Sequence, residues 1–375
     1  MKKCGTWLFL ILFLACCTDG GTPLPVSPTS TSTLADTATP TLTSTATITL
    51  PPTQTRTPPT LPGTFQADFL YEGDTPHTYI ADTCQYLHDR WASTSAAPGT
   101  VVMVIMFHSI VSDDSIPGAN QITRTEFRHL IGELMNNDFE AITTLQLADF
   151  MEFNSYIPER SVLLVVDDRH YRQYFDEFFR EYWEVDGWPV VNAFISASRD
   201  SLDASIWADQ EALYPEGWID YQAHGVVHNT PMWPGVSDAY ITGELQGSID
   251  AFQLHFGKSP IAIIWPGGGF FQRPVQIARE LGYRLGFTVN PRGPLMYNWV
   301  PLADEVDPRR PSWTPEGTMG DPLLVLPRYW DSDAAEHLQE VVQLNLDAAA
   351  HAESNRQVEM DYYDIVCSSS LGPLP

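Results

Sequence analysis

The chain has 375 residues, 43% of them hydrophobic and 12% aromatic, enough for one large buried core or two ordinary ones. Its 20 basic residues against 47 acidic ones leave a formal net charge of −27. That balance excludes nucleic acid, whose phosphates are met by basic patches, and charge-driven attachment to anionic lipid.

The first 20 residues, MKKCGTWLFLILFLACCTDG, read as an export signal: Lys2 and Lys3 precede an apolar run from Trp7 to Ala15 that is too short to span a membrane. The ending LFLACC resembles a bacterial lipobox, in which the new N-terminal cysteine receives a lipid. Cys16, preceded by Ala15, fits that pattern best, and Cys17 is the alternative. The expected location is therefore outside the cytoplasm, at the cell surface, with the lipid as the sole membrane link. Residues 21–63 are dominated by Thr, Pro, Ser and Ala. Such a stretch buries too little apolar surface to offset its ordering entropy and reads as a disordered tether. Of the five cysteines, Cys84 and Cys367 alone remain for the mature domain. Export exposes them to oxidising conditions, so a disulfide between them is expected, with two separate buried thiols as the alternative.

Residues 64–100 read as a lead-in segment packed on the domain, 101–350 as the domain itself, and 351–375 as a C-terminal tail. The apolar run TVVMVIMFHSI has strand length and is followed by a helical TRTEFRHLIGELMNN. RSVLLVVDD is a second buried strand, then YRQYFDEFFREYW a helix, and WPVVNAFISA a third strand. WIDYQAHGVV, PIAIIWPGGG, RLGFTVN and PLLVLPRYW supply four more, and SDAYITGELQGSIDAFQLHFG is an amphipathic helix closed by Gly257. Continuous apolar strands separated by helices imply parallel strands covered on the outside. The expected fold is α/β, a distorted (β/α) barrel of about seven strands, with its site at the strand C-termini.

The polar residues at those ends form a coherent set. His108 ends the first strand, Asp167 and Asp168 the second, and His224 and His228 the fourth. Trp265, Pro266 and Gly267 end the fifth, and Arg328 the seventh. Two carboxylates at the tip of an apolar strand are costly unless something uses them. One Asp with two His completes a three-ligand set for a divalent, zinc-like ion with an open position for water, and the second Asp is free to act as base.

The order of these motifs resembles the polysaccharide deacetylases of carbohydrate esterase family four, the NodB-homology domain. VVDDR at 165–169, HGVVH at 224–228 and IIWPGG at 263–268 match its first three motifs, and MFHSI resembles the Tyr-His pair that opens many members. The resemblance covers roughly residues 100–330. It implies a hydrolase that removes N-acetyl groups from an extracellular polysaccharide or peptidoglycan, with metal-bound water as the attacking species. Asp167 is then the general base, and Asp168, His224 and His228 are the ligands of a divalent metal. Zinc is the default ion, and nickel, cobalt or iron would use similar ligands. The Gly267 N–H is implied as the oxyanion donor, with Trp265 and Pro266 walling the substrate groove.

The motif surroundings depart from the family. Arg169 replaces a glycine, Gly225 replaces the Ser or Thr that supports the loop between the histidines, and Ile264 stands where some members have an Arg that pairs with the base. Arg328 is the candidate to orient Asp167, ahead of Arg169 and Arg292. His108 is the candidate proton donor to the leaving amine, ahead of His170. The connection from Asn290 to Asp321 is expected to shape one groove wall. A catalytically inactive glycan-binding lipoprotein and an O-acetyl esterase are the alternative functions.

Overall fold

The computed structural model describes residues 56–196, 203–228 and 231–374. The expected export signal, the tether up to residue 55, and Cys16 and Cys17 lie outside the described residues.

Strand β1 (Asp74–His77) and helix α1 (Thr83–Trp91) lead to β2 (Val101–Phe107). Two short paired strands, β3 (Ser109–Val111) and β4 (Gln121–Thr123), connect it to α2 (Arg124–Asn136). Thr123 caps that helix in a reciprocal box with Glu126. β5 (Glu140–Ala141) and α3 (Thr144–Phe153) precede β6 (Arg160–Asp168). Then follow α4 (Arg172–Phe178), α5 (Arg180–Asp186), β7 (Val190–Phe194), α6 (Asp203–Leu213) and β8 (Ile219–Ala223). α7 (Asp238–Phe256), β9 (Ala262–Ile264), α8 (Gln272–Glu280) and β10 (Leu285–Phe287) continue the alternation. β11 (Val300–Ala303) pairs back with β1, and β12 (Tyr329–Trp330), α9 (Ala334–Tyr362) and α10 (Ser368–Leu371) end the chain.

The main sheet runs β10-β9-β8-β7-β6-β2-β12 with every pairing parallel, and β5 adds to the start of β6. One segment closes it. Leu326 bridges to Phe287 on β10, and three residues later Tyr329 pairs with Ile105 on β2. The approach is tight enough that a Cβ on Gly286 would lie 2.2 Å from the Leu324 carbonyl oxygen, so only glycine fits there. The result is a distorted barrel.

Side chains alternate as a pleat requires. Val102, Val104, Leu163, Val165, Val191 and Ala193 share one cluster. Val101, Met103, Ile105, Phe107, Val162, Leu164 and Val166 turn the other way, under Phe127, Leu130 and Ile131 of α2, Phe175 of α4 and Leu338, Val341 and Leu344 of α9.

Three expectations change. The helix expected over 171–183 is two, because the backbone breaks at Phe179 (φ −118°, ψ −24°), which lets Phe178 and Phe179 both pack on Phe127. The domain edge drawn at 350 falls inside the 29-residue α9, so 351–362 continue a helix that packs on the barrel and are no tail. The connection after β10 also runs elsewhere: Leu295 pairs with Val102 at the start of β2, and Val300–Ala303 pairs with β1, so this stretch lies toward the strand N-termini. Cys84 and Cys367 form a disulfide joining α1 to the end of the C-terminal helical run. Among the described residues no helix is long and apolar enough to cross a membrane.

Candidate active site

β6 delivers the two aspartates by different means. Asp167 continues the inward row of Leu163 and Val165 and is 1% exposed. Asp168 follows in the left-handed region (φ 74°), rare for a residue with a Cβ, and its side chain turns out to the strand tip. Two neighbours that a regular strand would aim at opposite faces therefore serve one centre.

Asp167 meets the guanidinium of Arg328 in a bidentate pair, Nη1 to Oδ1 at 2.7 Å and Nη2 to Oδ2 at 3.0 Å. Arg328 rides on the closing segment and donates Nε–H to the Thr288 carbonyl at 2.7 Å. Burial by itself raises the Asp167 pKa, but Arg328, with His224 and His108, outweighs it and holds the carboxyl below its usual range. Arg169 donates Nε–H to the Ile195 carbonyl, and Arg292 is paired with Asp74 and Glu316, so neither orients Asp167. His108 Nε2 lies 3.8 Å from Asp167 Oδ2, and its ring stacks on Trp330, with centroids 5.6 Å apart and planes 12° apart. Burial lowers the His108 pKa, only partly offset by Asp167. His170 lies 3.2 Å from the Asp167 backbone oxygen and stacks on Tyr174, away from the carboxylate.

β8 ends one residue before His224. The Nδ1–H of His224 donates to the Ile264 carbonyl at 2.8 Å, which leaves the Nε2 lone pair facing the cluster. His224 Nε2 is 3.7 Å and His228 Nε2 is 3.9 Å from Asp168 Oδ1. One donor atom from each of the three residues lies within 4.8 Å of the others. These separations exceed hydrogen bonds and approach the ~3.4 Å that ligand bonds of about 2.1 Å impose in a tetrahedron. The charges agree with that use. Burial opposes ionisation of Asp168, yet the two histidines pull its pKa well down. Burial likewise opposes protonation of His224, but Asp168 and Asp167 overcome it, whereas burial and the His224 charge push His228 down to about 4. Two imidazoles whose charges oppose each other, beside a carboxylate held well below its usual range, suit a divalent cation.

Gly267 is exposed at the end of β9 in a left-handed turn (φ 58°), and its N–H donates to His228 Nε2 at 3.2 Å. Trp265 and Pro266 do not wall a groove. Trp265 is 0% exposed, its indole N–H donates to the Leu324 carbonyl at 2.9 Å, and Pro266 is buried beside it. A Pro-Gly turn in the sequence marks where the chain bends, not which way the preceding indole points. Trp330 and Glu244 are the site neighbours that sequence reasoning missed. The first follows the candidate Arg328 by two residues, and the second falls on the buried face of α7 between Ile241 and Leu245. A cavity of about 140 Å³, lined by Tyr86, Phe150, Tyr297 and Trp299 among others, contains none of the site residues.

No protein-family model matches this sequence, and no curated protein does. Among solved structures, the chain is similar to a Streptococcus pyogenes deacetylase, PplD, in complex with acetate, at 18% identity over 66% of this chain and 99% of that one, with a TM-score of 0.49. It is also similar to a polysaccharide deacetylase from Bacillus cereus, at 18% identity over 64% of this chain and 69% of that one, TM-score 0.46. IcaB from Ammonifex degensii aligns at 15% identity over 68% of this chain and all of its own, TM-score 0.47.

Proposed function

We propose that this chain is a metal-dependent deacetylase that hydrolyses N-acetyl groups on an extracellular or cell-wall polysaccharide. The observation that carries the reading is the meeting of Asp168, His224 and His228 within 4.8 Å beside an Arg-paired Asp167 at the barrel's strand tips. The motif order read from the sequence supports the substrate class.

Asp168, His224 and His228 would hold the cation, with zinc as the default ion. A divalent ion in such a set lowers the pKa of a water in its open position and polarises a carbonyl oxygen. Asp167 takes the proton as water adds to the acetyl carbon, and Arg328 keeps both of its oxygens in place while it does so. Collapse breaks the carbon–nitrogen bond; the proton that Asp167 took from water passes to His108, 3.8 Å away, and from its imidazolium to the departing amine, so both side chains end as they began. The products are acetate and a free amine on the sugar. The Gly267 N–H donates to His228 Nε2 at 3.2 Å; were that nitrogen to hold a cation, the N–H would be free to donate toward the acetyl oxygen. In this reading the domain works outside the cytoplasm, exported by residues 1–20 and anchored through a lipid on Cys16 or Cys17.

Acetate release from N-acetylated oligosaccharides of chitin and peptidoglycan type tests the reading, with O-acetylated xylan as the ester comparison. Release that stops with a chelator and returns with zinc is the expected outcome. Chain binding to the glycan without any acetate release would instead favour a non-catalytic binding protein.

A further inference from the structure

Between His224 and His228 the loop carries no polar side chain to hold itself, since Gly225 has none and Val226 and Val227 are aliphatic. Three consecutive N–H groups of that loop nevertheless converge on a single carboxylate. Glu244 Oε2 accepts from Val226 at 2.8 Å, from Val227 at 3.1 Å and, more weakly, from His228 at 3.4 Å, and Oε1 lies 3.2 Å from the Val227 nitrogen. Successive N–H groups turned to one side form a concave cradle for an anion, and here the anion is part of the chain. Glu244 is 4% exposed and projects from the second turn of α7.

The rest of that helix face is shaped to the same loop. A Cβ on Gly247 would come 2.7 Å from Val226 Cγ2, so the glycine lets the loop rest on the helix. Ser248 donates its hydroxyl to the Glu244 carbonyl at 2.9 Å and stands 3.3 Å from Ser196 Oγ. Ser196 in turn donates its N–H to the Gly225 carbonyl at 3.0 Å. Gly225 itself sits at φ 76°, and a Cβ there would lie 2.6 Å from Glu244 Oε2. A Ser or Thr at 225 and a carboxylate from 244 compete for one space, and this chain has the carboxylate. His228 is held in the left-handed region (φ 55°), which a residue with a Cβ keeps only where its surroundings over-determine it.

We infer that Glu244 is a positioning residue: its carboxylate fixes the backbone of 226–228 and thereby sets the spacing of His224 and His228 around the cation site. The inference rests on the metal-binding reading for its consequence, while the clamp is independent of it. A charged acceptor on a ligand's own backbone acts as outer-shell partners of metal ligands do.

The test uses Glu244→Ala, Glu244→Asp and Glu244→Gln in the full chain, with two readouts. Amide hydrogen exchange in metal-free protein reads the clamp, and zinc affinity by competition with a chromophoric chelator reads its consequence. Glu244→Ala is expected to speed exchange at Val226, Val227 and His228 while the amides of β2 and β6 keep their protection, and to weaken zinc binding roughly 10- to 100-fold. Glu244→Gln keeps an oxygen on the N–H groups and loses no more than about 10-fold in affinity, the low end of that range. Should Glu244→Ala not fold, Glu244→Asp, whose shorter arm draws the charge off the loop, must show the same two effects. Zinc affinity unmoved in both Ala and Asp variants overturns the inference, whatever exchange does. A wild type with no zinc affinity overturns the functional reading as well, and accelerated exchange in the variants then identifies that as the failed step.

Discussion

The guanidinium of Arg328 and the carboxylate of Asp167, 161 residues apart in the chain, form a two-point pair in which both side chains are buried. Burying one such charge alone is far more costly than burying the two together. Arg328→Met, which leaves the carboxylate unpaired, is expected to cost about 3–5 kcal/mol in urea unfolding. Arg328→Lys keeps the charge but not the fork, so turnover should fall further than stability does. Unfolding curves and kcat measured on the same preparations check both, and an unchanged Arg328→Met midpoint contradicts the pairing.

The proposed function gives metal ligation and proton transfer to different residues, so the two separate by mutation. His224→Ala and Asp168→Ala are expected to lose bound zinc. Asp167→Asn keeps zinc and loses turnover by roughly 10²- to 10⁴-fold, the usual weight of a positioned base. Metal content by mass spectrometry alongside acetate release checks the split. Full activity in Asp167→Asn removes the base assignment.

Trp265 belongs to the core. Trp265→Phe takes the indole N–H from the Leu324 carbonyl and is expected to cost about 1–3 kcal/mol, with KM for the polymer unchanged. A raised KM at wild-type stability would restore the indole to the groove.

Asp331 carries the clearest pH signature. Buried against the start of α9, it leaves Oδ2 without a partner, and burial, helped by the charges of Asp333 and Asp167, raises its pKa to about 7. The ordinary value for an aspartate is 3.8, so between about pH 4 and 7 the native state holds a proton that the unfolded chain has released. Stability from this group is therefore full below about pH 4 and falls as pH rises toward 7. Asp331→Asn is expected to match wild type at pH 4 and to exceed it at pH 8, by up to about 4 kcal/mol. Urea midpoints at four pH values between these limits check it, and parallel curves for the two proteins contradict it.

Much of the barrel and of the candidate cation set is legible in the sequence, for a physical reason. Val101–Phe107 and Arg160–Asp168 are buried on both faces, so their apolar runs are uninterrupted until a polar residue marks the tip. That is why His108, Asp167 and Asp168 stand out. The short strands are less visible: β12 has two residues, and its pairing with β2 depends on how the closing segment leaves β10. Glu244 escapes for another reason. A glutamate in an amphipathic helix reads as a solvated face, and only its place between Ile241 and Leu245 hints that it points inward. The burial of Trp265 is not legible in the sequence, because residues beside a turn carry no period by which to assign a side.

The most direct measurement is anomalous diffraction at the zinc edge from crystals grown with zinc. One strong peak is expected, bonded at about 2.0–2.2 Å to Asp168 Oδ1, His224 Nε2 and a His228 ring nitrogen. Crystals whose map is flat between these three side chains would contradict it.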